Sequence, residues 1–173
     1  MSDTYYIDGY NVLHKSSLLR PLALEDFEAA RDALIDKVAL FCAGSGKRAV
    51  IVFDGRGRHQ PQNAPPPPGV SGLEIVYSPA NLSADAVIER MVYKAGNRLD
   101  IVVVSNDRGL REVCRGMGAL VMEADNFLAT VRETKQGITG AMQKSRKDPA
   151  PDRLEDRLDP ETIARLKATK EGR

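Results

Sequence analysis

Tryptophan is absent from this sequence, and cysteine and histidine occur only twice each among 173 residues. Neither Cys42 nor Cys114 has a second cysteine or a histidine at zinc spacing, which argues against a structural zinc site and a disulfide framework. Both fall in helical patterns and read as small core residues in a reducing compartment. No apolar run approaches the ~20 residues of a membrane span. The start, Met1-Ser2-Asp3, lacks a basic region and an apolar stretch, so no secretory signal and no membrane are expected, and a cytoplasmic location is. An excess of either charge is also missing. Lys+Arg 25 against Asp+Glu 24 gives +1, which excludes a globally basic nucleic-acid clamp or an acidic tail, though not a local basic patch.

What is present is ordinary globular material, 42% hydrophobic and 28% charged. The chain reads as alternating strands and helices. Tyr5-Tyr6-Ile7 opens as a short strand. Leu24, Phe27, Leu34, Val38 and Phe41 recur at helical spacing over 24–41, and Gly44 and Gly46 stop that helix. Ala49-Val50-Ile51-Val52-Phe53 is a continuous apolar run, the pattern of a strand buried on both faces. Residues 55–72, with prolines at 65 to 68, predict a stiff extended loop. Leu73-Glu74-Ile75-Val76-Tyr77 follows as a strand. Ser83 caps a helix carrying Val87, Ile88, Met91 and Val92. Ile101-Val102-Val103-Val104 is a fourth strand, then a helix spans 107–115. Ala119-Leu120-Val121-Met122 is a fifth, and Asp125 caps a helix to about residue 133. This order predicts an α/β fold with a mainly parallel sheet of about five strands. No helix separates the second and third strands, which leaves the direction of the third open. The expected domain is 1–136. A charged extension, 137–173, contains Pro149 and Pro151 and a short helix after Asp159-Pro160.

In a parallel sheet, sites form beyond the carboxyl ends of the strands. Asp8 follows the first strand, Asp54 the second, Asp107 the fourth (by way of Ser105 and Asn106), and Glu123 and Asp125 the fifth. Asp85 opens the helix after Ser83, and Glu89 shares its face four residues on. Each has a plainer reading as well. Asp85 favours the helix dipole, Glu89 suits a solvated face, and Asp107 and Asp125 suit N-caps. Asp8 and Asp54 each directly follow an apolar strand and precede glycine, which there permits a sharp turn and room for a ligand. Two carboxylates ~4 Å apart repel by about 4 kcal/mol at an effective dielectric of ~20, so an acidic cluster must bind protons or a cation. Oxygen-only ligands suit Mg²⁺ or Mn²⁺, and such a metal suits phosphodiester hydrolysis.

Basic residues fall in the same segments. His14, Lys15 and Arg20 follow the first strand, Arg56, Arg58 and His59 the second, and Arg108, Arg111 and Arg115 the fourth. This grouping suits an anionic polymer across a metal site. The two histidines fit surface or phosphate contacts better than metal ligation.

The runs Ile7-Asp8-Gly9-Tyr10-Asn11-Val12, Val52-Phe53-Asp54-Gly55, Ser83-Ala84-Asp85-Ala86-Val87-Ile88-Glu89 and Val104-Ser105-Asn106-Asp107-Arg108 resemble, in that order, the NYN domain. The YacP-like nucleases within the PIN-like group are the branch they resemble. The resemblance implies a PIN-like three-layer sandwich and a divalent-metal-dependent endoribonuclease using Mg²⁺ or Mn²⁺. Asp8, Asp54, Asp85 and Asp107 match its catalytic acidic positions, with Asp8, Asp85 and Asp107 on the metal. Asn11, Glu89, Ser105 and Asn106 are additional site candidates. Lys15, Arg56, Arg58, Arg108 and Arg111 are the expected RNA contacts, and bacterial relatives imply RNA near the ribosome. Asn106 stands where a smaller residue is the family's habit, and the proline run is no family hallmark.

A competing reading is a catalytically weak RNA- or ribosome-binding module of the same fold; acids at all four positions argue against it. A haloacid-type phosphatase needs a second aspartate at position 10, which is Tyr10, and no Gly-x-Gly-x-x-Gly follows the first strand to support a dinucleotide site.

Overall fold

A computed structural model describes residues 3–55 and 63–147, with side chains to 144. Among the described residues six strands form one sheet: β1 (Thr4–Asp8), β2 (Arg48–Phe53), β3 (Asn63–Ala64), β4 (Leu73–Tyr77), β5 (Ile101–Val104) and β6 (Leu120–Met122). Their order is β3-β4-β2-β1-β5-β6. All neighbours are parallel except β3, which pairs antiparallel with β4 at the edge. The sheet is thus mainly parallel as expected, with the two-residue β3 as a sixth strand, and β4 runs parallel to β2 although no helix joins them.

Among the described residues six α-helices accompany it: α1 (Gly9–Lys15), α2 (Arg20–Glu25), α3 (Phe27–Ser45), α4 (Ala84–Lys94), α5 (Arg108–Gly116) and α6 (Ala124–Lys147). The helix expected over 24–41 is two. Asp26 between them is extended, and its carboxylate accepts from the Ala29 N–H, a local cap that outweighs the hydrophobic period. Gly46 ends α3 in the left-handed region, as the glycines predicted. Helix α1 lacks a long enough period to be read from sequence. Helix α6 runs well past residue 133; Gly137 and Gly140 cost it helix propensity, about 1 kcal/mol each, without stopping it.

The sheet separates two apolar layers. On one face Tyr5, Ile7, Ile51 and Phe53 meet Leu34, Val38 and Phe41 of α3 and Phe127 of α6. Rings of Tyr5, Phe41 and Phe127 lie 5.0–5.7 Å apart, mostly edge to face. On the other face Val50, Val52 and Val103 meet Ile88 of α4 and Leu110 and Cys114 of α5. Both cysteines are free and buried. The chain divides into two compact units, Met1–Gln136 and Gly137–Arg173. Among the described residues no helix is long and apolar enough to cross a membrane.

Strand order fixes where a site can form. The chain leaves β1 for β2 and β4 on one side, then returns to β5 and β6 on the other. The order therefore reverses at β1 and β5, and their carboxyl ends flank the crevice such a reversal leaves.

Candidate active site

Asp8 ends β1 in this crevice and is only 5% exposed. It doubles as the N-cap of α1, where its Oδ1 accepts from the Asn11 N–H at 3.4 Å. Helix α4 packs across β1 and β2. Its N-terminus, capped by Ser83 on the Ala86 N–H, brings Asp85 to Asp8, and the two carboxyl groups are hydrogen-bonded. The Asp8 pKa is raised from 3.8 to about 7, by burial first and then by the Asp85 charge and the shared hydrogen bond, against the Asn11 N–H and the Ser105 hydroxyl, which pull it down. Asp8 is thus about half protonated at neutrality, and a cation beside it would take the proton's place.

Ser105 follows β5 and is fully buried. Its hydroxyl donates to Asp8 Oδ2 at 3.3 Å and accepts from the Asp107 N–H at 3.1 Å. Asp107 caps α5, its Oδ1 accepting from Leu110 N–H at 2.9 Å. Two asparagines brace this junction. Asn11 Oδ1 accepts from the Asn106 N–H at 2.8 Å, and Asn106 Oδ1 accepts from the Ala124 N–H, the first residue of α6, also at 2.8 Å. Asn106 is therefore large for a reason: a smaller residue could not span to α6.

The remaining candidates divide. Asp54 is half-buried at the end of β2, on the same sheet edge. Glu89 shares the α4 face of Asp85; both charges reach Cys114, whose thiol is pushed up to about 11 by burial first and then by Glu89 and Asp85. Among the described residues no three His, Cys, Asp or Glu side chains stand close enough to hold a metal ion together. Asp8 and Asp85 form a pair, with Asp107 tied in through its backbone and Ser105. Lys15 is exposed at the end of α1, and His14 stacks on Phe27 at 5.8 Å. Arg108 is exposed in the first turn of α5. Arg111 is bound to Glu123 at 3.1 Å, so Glu123 faces α5 rather than the acids. Asp125 is no cap; its Oδ1 accepts from the Ser17 N–H at 2.9 Å. Arg56, Arg58 and His59 lie outside the described residues.

The glycines after Asp8 and Asp54 serve packing, with no positive φ at either. A Cβ on Gly9 would lie 2.3 Å from the Phe53 ring, and one on Gly55 would lie 2.2 Å from the Ser78 carbonyl oxygen. The space expected for a ligand is filled by protein. Sequence reasoning counted Glu123 among the sheet-edge acids and missed its arginine partner; the helical row of arginines opposite was the available signal.

An oxygen-only carboxylate pair, one member buried and reluctant to carry a second charge, fits a hard divalent cation. Mg²⁺ commonly takes one or two carboxylates and keeps its waters, so a full protein cage is not required.

Known proteins agree with this architecture. The chain is 29% identical over 146 residues to the uncharacterized protein YacP of Bacillus subtilis strain 168, covering 82% of each. Two crystal structures of Rae1 (YacP) from Bacillus subtilis resemble it. A mutant form matches with a TM-score of 0.69 and 26% identity over 96% of this chain and 99% of that one. The other matches with a TM-score of 0.66 and 26% identity over 98% and 95%. The fold is accordingly PIN-like. The family model of the YacP-like NYN domain matches residues 5–171, and the chain belongs to that family of nuclease-like proteins.

Proposed function

We propose that this protein is a divalent-metal-dependent endoribonuclease that hydrolyses RNA phosphodiester bonds, with Asp8 and Asp85 at its centre. The observation that carries this reading is the hydrogen-bonded pair of buried Asp8 and half-buried Asp85 at the topological switch of an NYN-family sheet. Asp8 and Asp85 would hold Mg²⁺ or Mn²⁺, with Asp107 and Asp54 completing the acidic edge and Glu89 an additional acid. When bound, the ion activates water and stabilises charge on the leaving oxygen. The chain's own part is positional. Ser105 fixes Asp8 Oδ2, the Asn11 N–H fixes Oδ1, and the Asn11–Asn106–Ala124 series holds the β5–α5 turn. Loss of the Asp8 proton above about pH 7 readies the site for a cation. Lys15, Arg56, Arg58, Arg108 and Arg111 are the proposed RNA contacts, in a cytoplasmic setting.

A second reading has one observation in its favour. Because no three acids stand at metal-holding distance among the described residues, a catalytically weak RNA- or ribosome-binding module remains a competitor. One experiment separates them: purified protein with defined RNAs, free and ribosome-bound, in Mg²⁺, Mn²⁺ or EDTA. The nuclease reading expects cleavage with either metal and none in EDTA. Binding without cleavage under every condition supports the module, and cleavage that survives EDTA removes the metal from the proposal.

A further inference from the structure

Arg108, Arg111 and Arg115 recur along α5 at i, i+3 and i+7, so they leave one side of the helix while Leu110 and Cys114 bury the other. The row is about 10 Å long at 1.5 Å rise per residue. Glu123, the residue after β6, stands opposite. Between them lies a cleft of about 410 Å³ lined by Arg108, Arg111, Glu112, Arg115 and Glu123. Three cations face two anions there. Only Arg111 is engaged, by Glu123 at 3.1 Å, and that carboxylate side chain is 52% exposed. Arg108 and Arg115 have no ion pair or hydrogen bond from their side chains among the described residues.

We propose that this cleft is a phosphate subsite for an RNA backbone, and that Glu123 occupies it in the free protein as a stand-in for phosphate. A guanidinium presents the same fork of donors to carboxylate and to phosphate, so the contact that binds Glu123 also binds a phosphodiester oxygen pair. A half-exposed ion pair is weak enough to exchange. Displacing Glu123 leaves three arginines for more than one phosphate. The position suits a strand crossing the acid pair: Arg108 directly follows Asp107, whose N–H is bonded to Ser105, which is bonded to Asp8. The choice of RNA as ligand rests on the nuclease reading; the phosphate chemistry does not.

The test measures binding of a labelled single-stranded oligoribonucleotide to the full chain in EDTA, as a function of salt. Arg115→Ala should weaken binding about fivefold and shrink the slope of log K against log salt by about 0.7, the value of one single-strand phosphate, with an unchanged melting temperature. Glu123→Gln should tighten binding, because the internal competitor loses its charge. Unchanged affinity and slope in both variants would overturn the cleft. Inorganic phosphate competing as well as the oligonucleotide would overturn the backbone assignment, and equal binding of the DNA of the same sequence would overturn the choice of RNA. Cleavage by the wild type is scored separately with Mg²⁺ or Mn²⁺. Cleavage with normal Arg115→Ala binding sinks the cleft alone, and a binding loss without any wild-type cleavage sinks the nuclease reading alone.

Discussion

Ser105 and Asp8, 97 residues apart in sequence, share a hydrogen bond of 3.3 Å in the buried crevice between β5 and β1. The hydroxyl donates to the carboxylate and at the same time accepts from the Asp107 N–H. It therefore links the acid pair to the start of α5. Changes at Asp8 should consequently be felt as electrostatics rather than as lost packing.

Asp8→Asn keeps the shape, retains an oxygen for the Asn11 N–H, and turns an amide donor toward the Ser105 hydroxyl. Relief of like-charge repulsion should leave the metal-free variant melting at or above wild type at pH 8. Added Mg²⁺ or Mn²⁺ should raise the wild-type melting temperature and leave the variant's unchanged. RNA cleavage should fall by about two to three orders of magnitude. Marked destabilisation in EDTA, or near-normal cleavage, counts against Asp8 as a ligand.

The same pair sets a pH dependence. Asp8 has a folded pKa of about 7 against an ordinary 3.8, so between these values the folded state binds the extra proton. Stability is greatest below 3.8 as far as this group is concerned and falls as pH rises toward about 7. The span of roughly three units bounds the loss at about 4 kcal/mol, since each unit is ~1.36 kcal/mol. Chemical denaturation in EDTA across pH 4–8 should show wild type losing stability relative to Asp8→Asn. A flat difference would mean that the proton is not held in the folded state.

Gly9→Ala tests the packing beneath the site. The new Cβ would sit 2.3 Å from Phe53 Cε1, and Phe53 is fully buried. Overpacking of this kind costs about 1–3 kcal/mol. A denaturation midpoint unchanged by the substitution would show that the ring moves freely.

Asn11→Ala and Asn106→Ala each strand a backbone N–H, that of Asn106 and that of Ala124 respectively. Each should cost about 1 kcal/mol, as a lost cap does. Because the two bonds meet at Asn106, the double variant should cost less than the sum. Strict additivity in a double-mutant cycle would dissolve the series into two independent contacts.

Local features were legible in the sequence because their causes are local. The apolar runs around Ile51 and Val103 announced buried strands, Gly46 announced the end of α3, and Ser83 the start of α4. Acids directly after strands could be assigned to one sheet edge once a parallel sheet was inferred. Which of them meet was decided by tertiary structure. Strand order set β1 beside β5 and laid α4 across β1, so Asp85 reached Asp8 while Glu123 fell to Arg111. The clash that demands Gly9 belongs to Phe53 on another strand, and the partner that makes Asn106 useful belongs to α6. Periodicity and caps act over a few residues, where the chain's own spacing suffices. The raised Asp8 pKa needs a neighbour 77 positions away and the exclusion of water around Asp8 itself, and only the packed sheet and helices supply those.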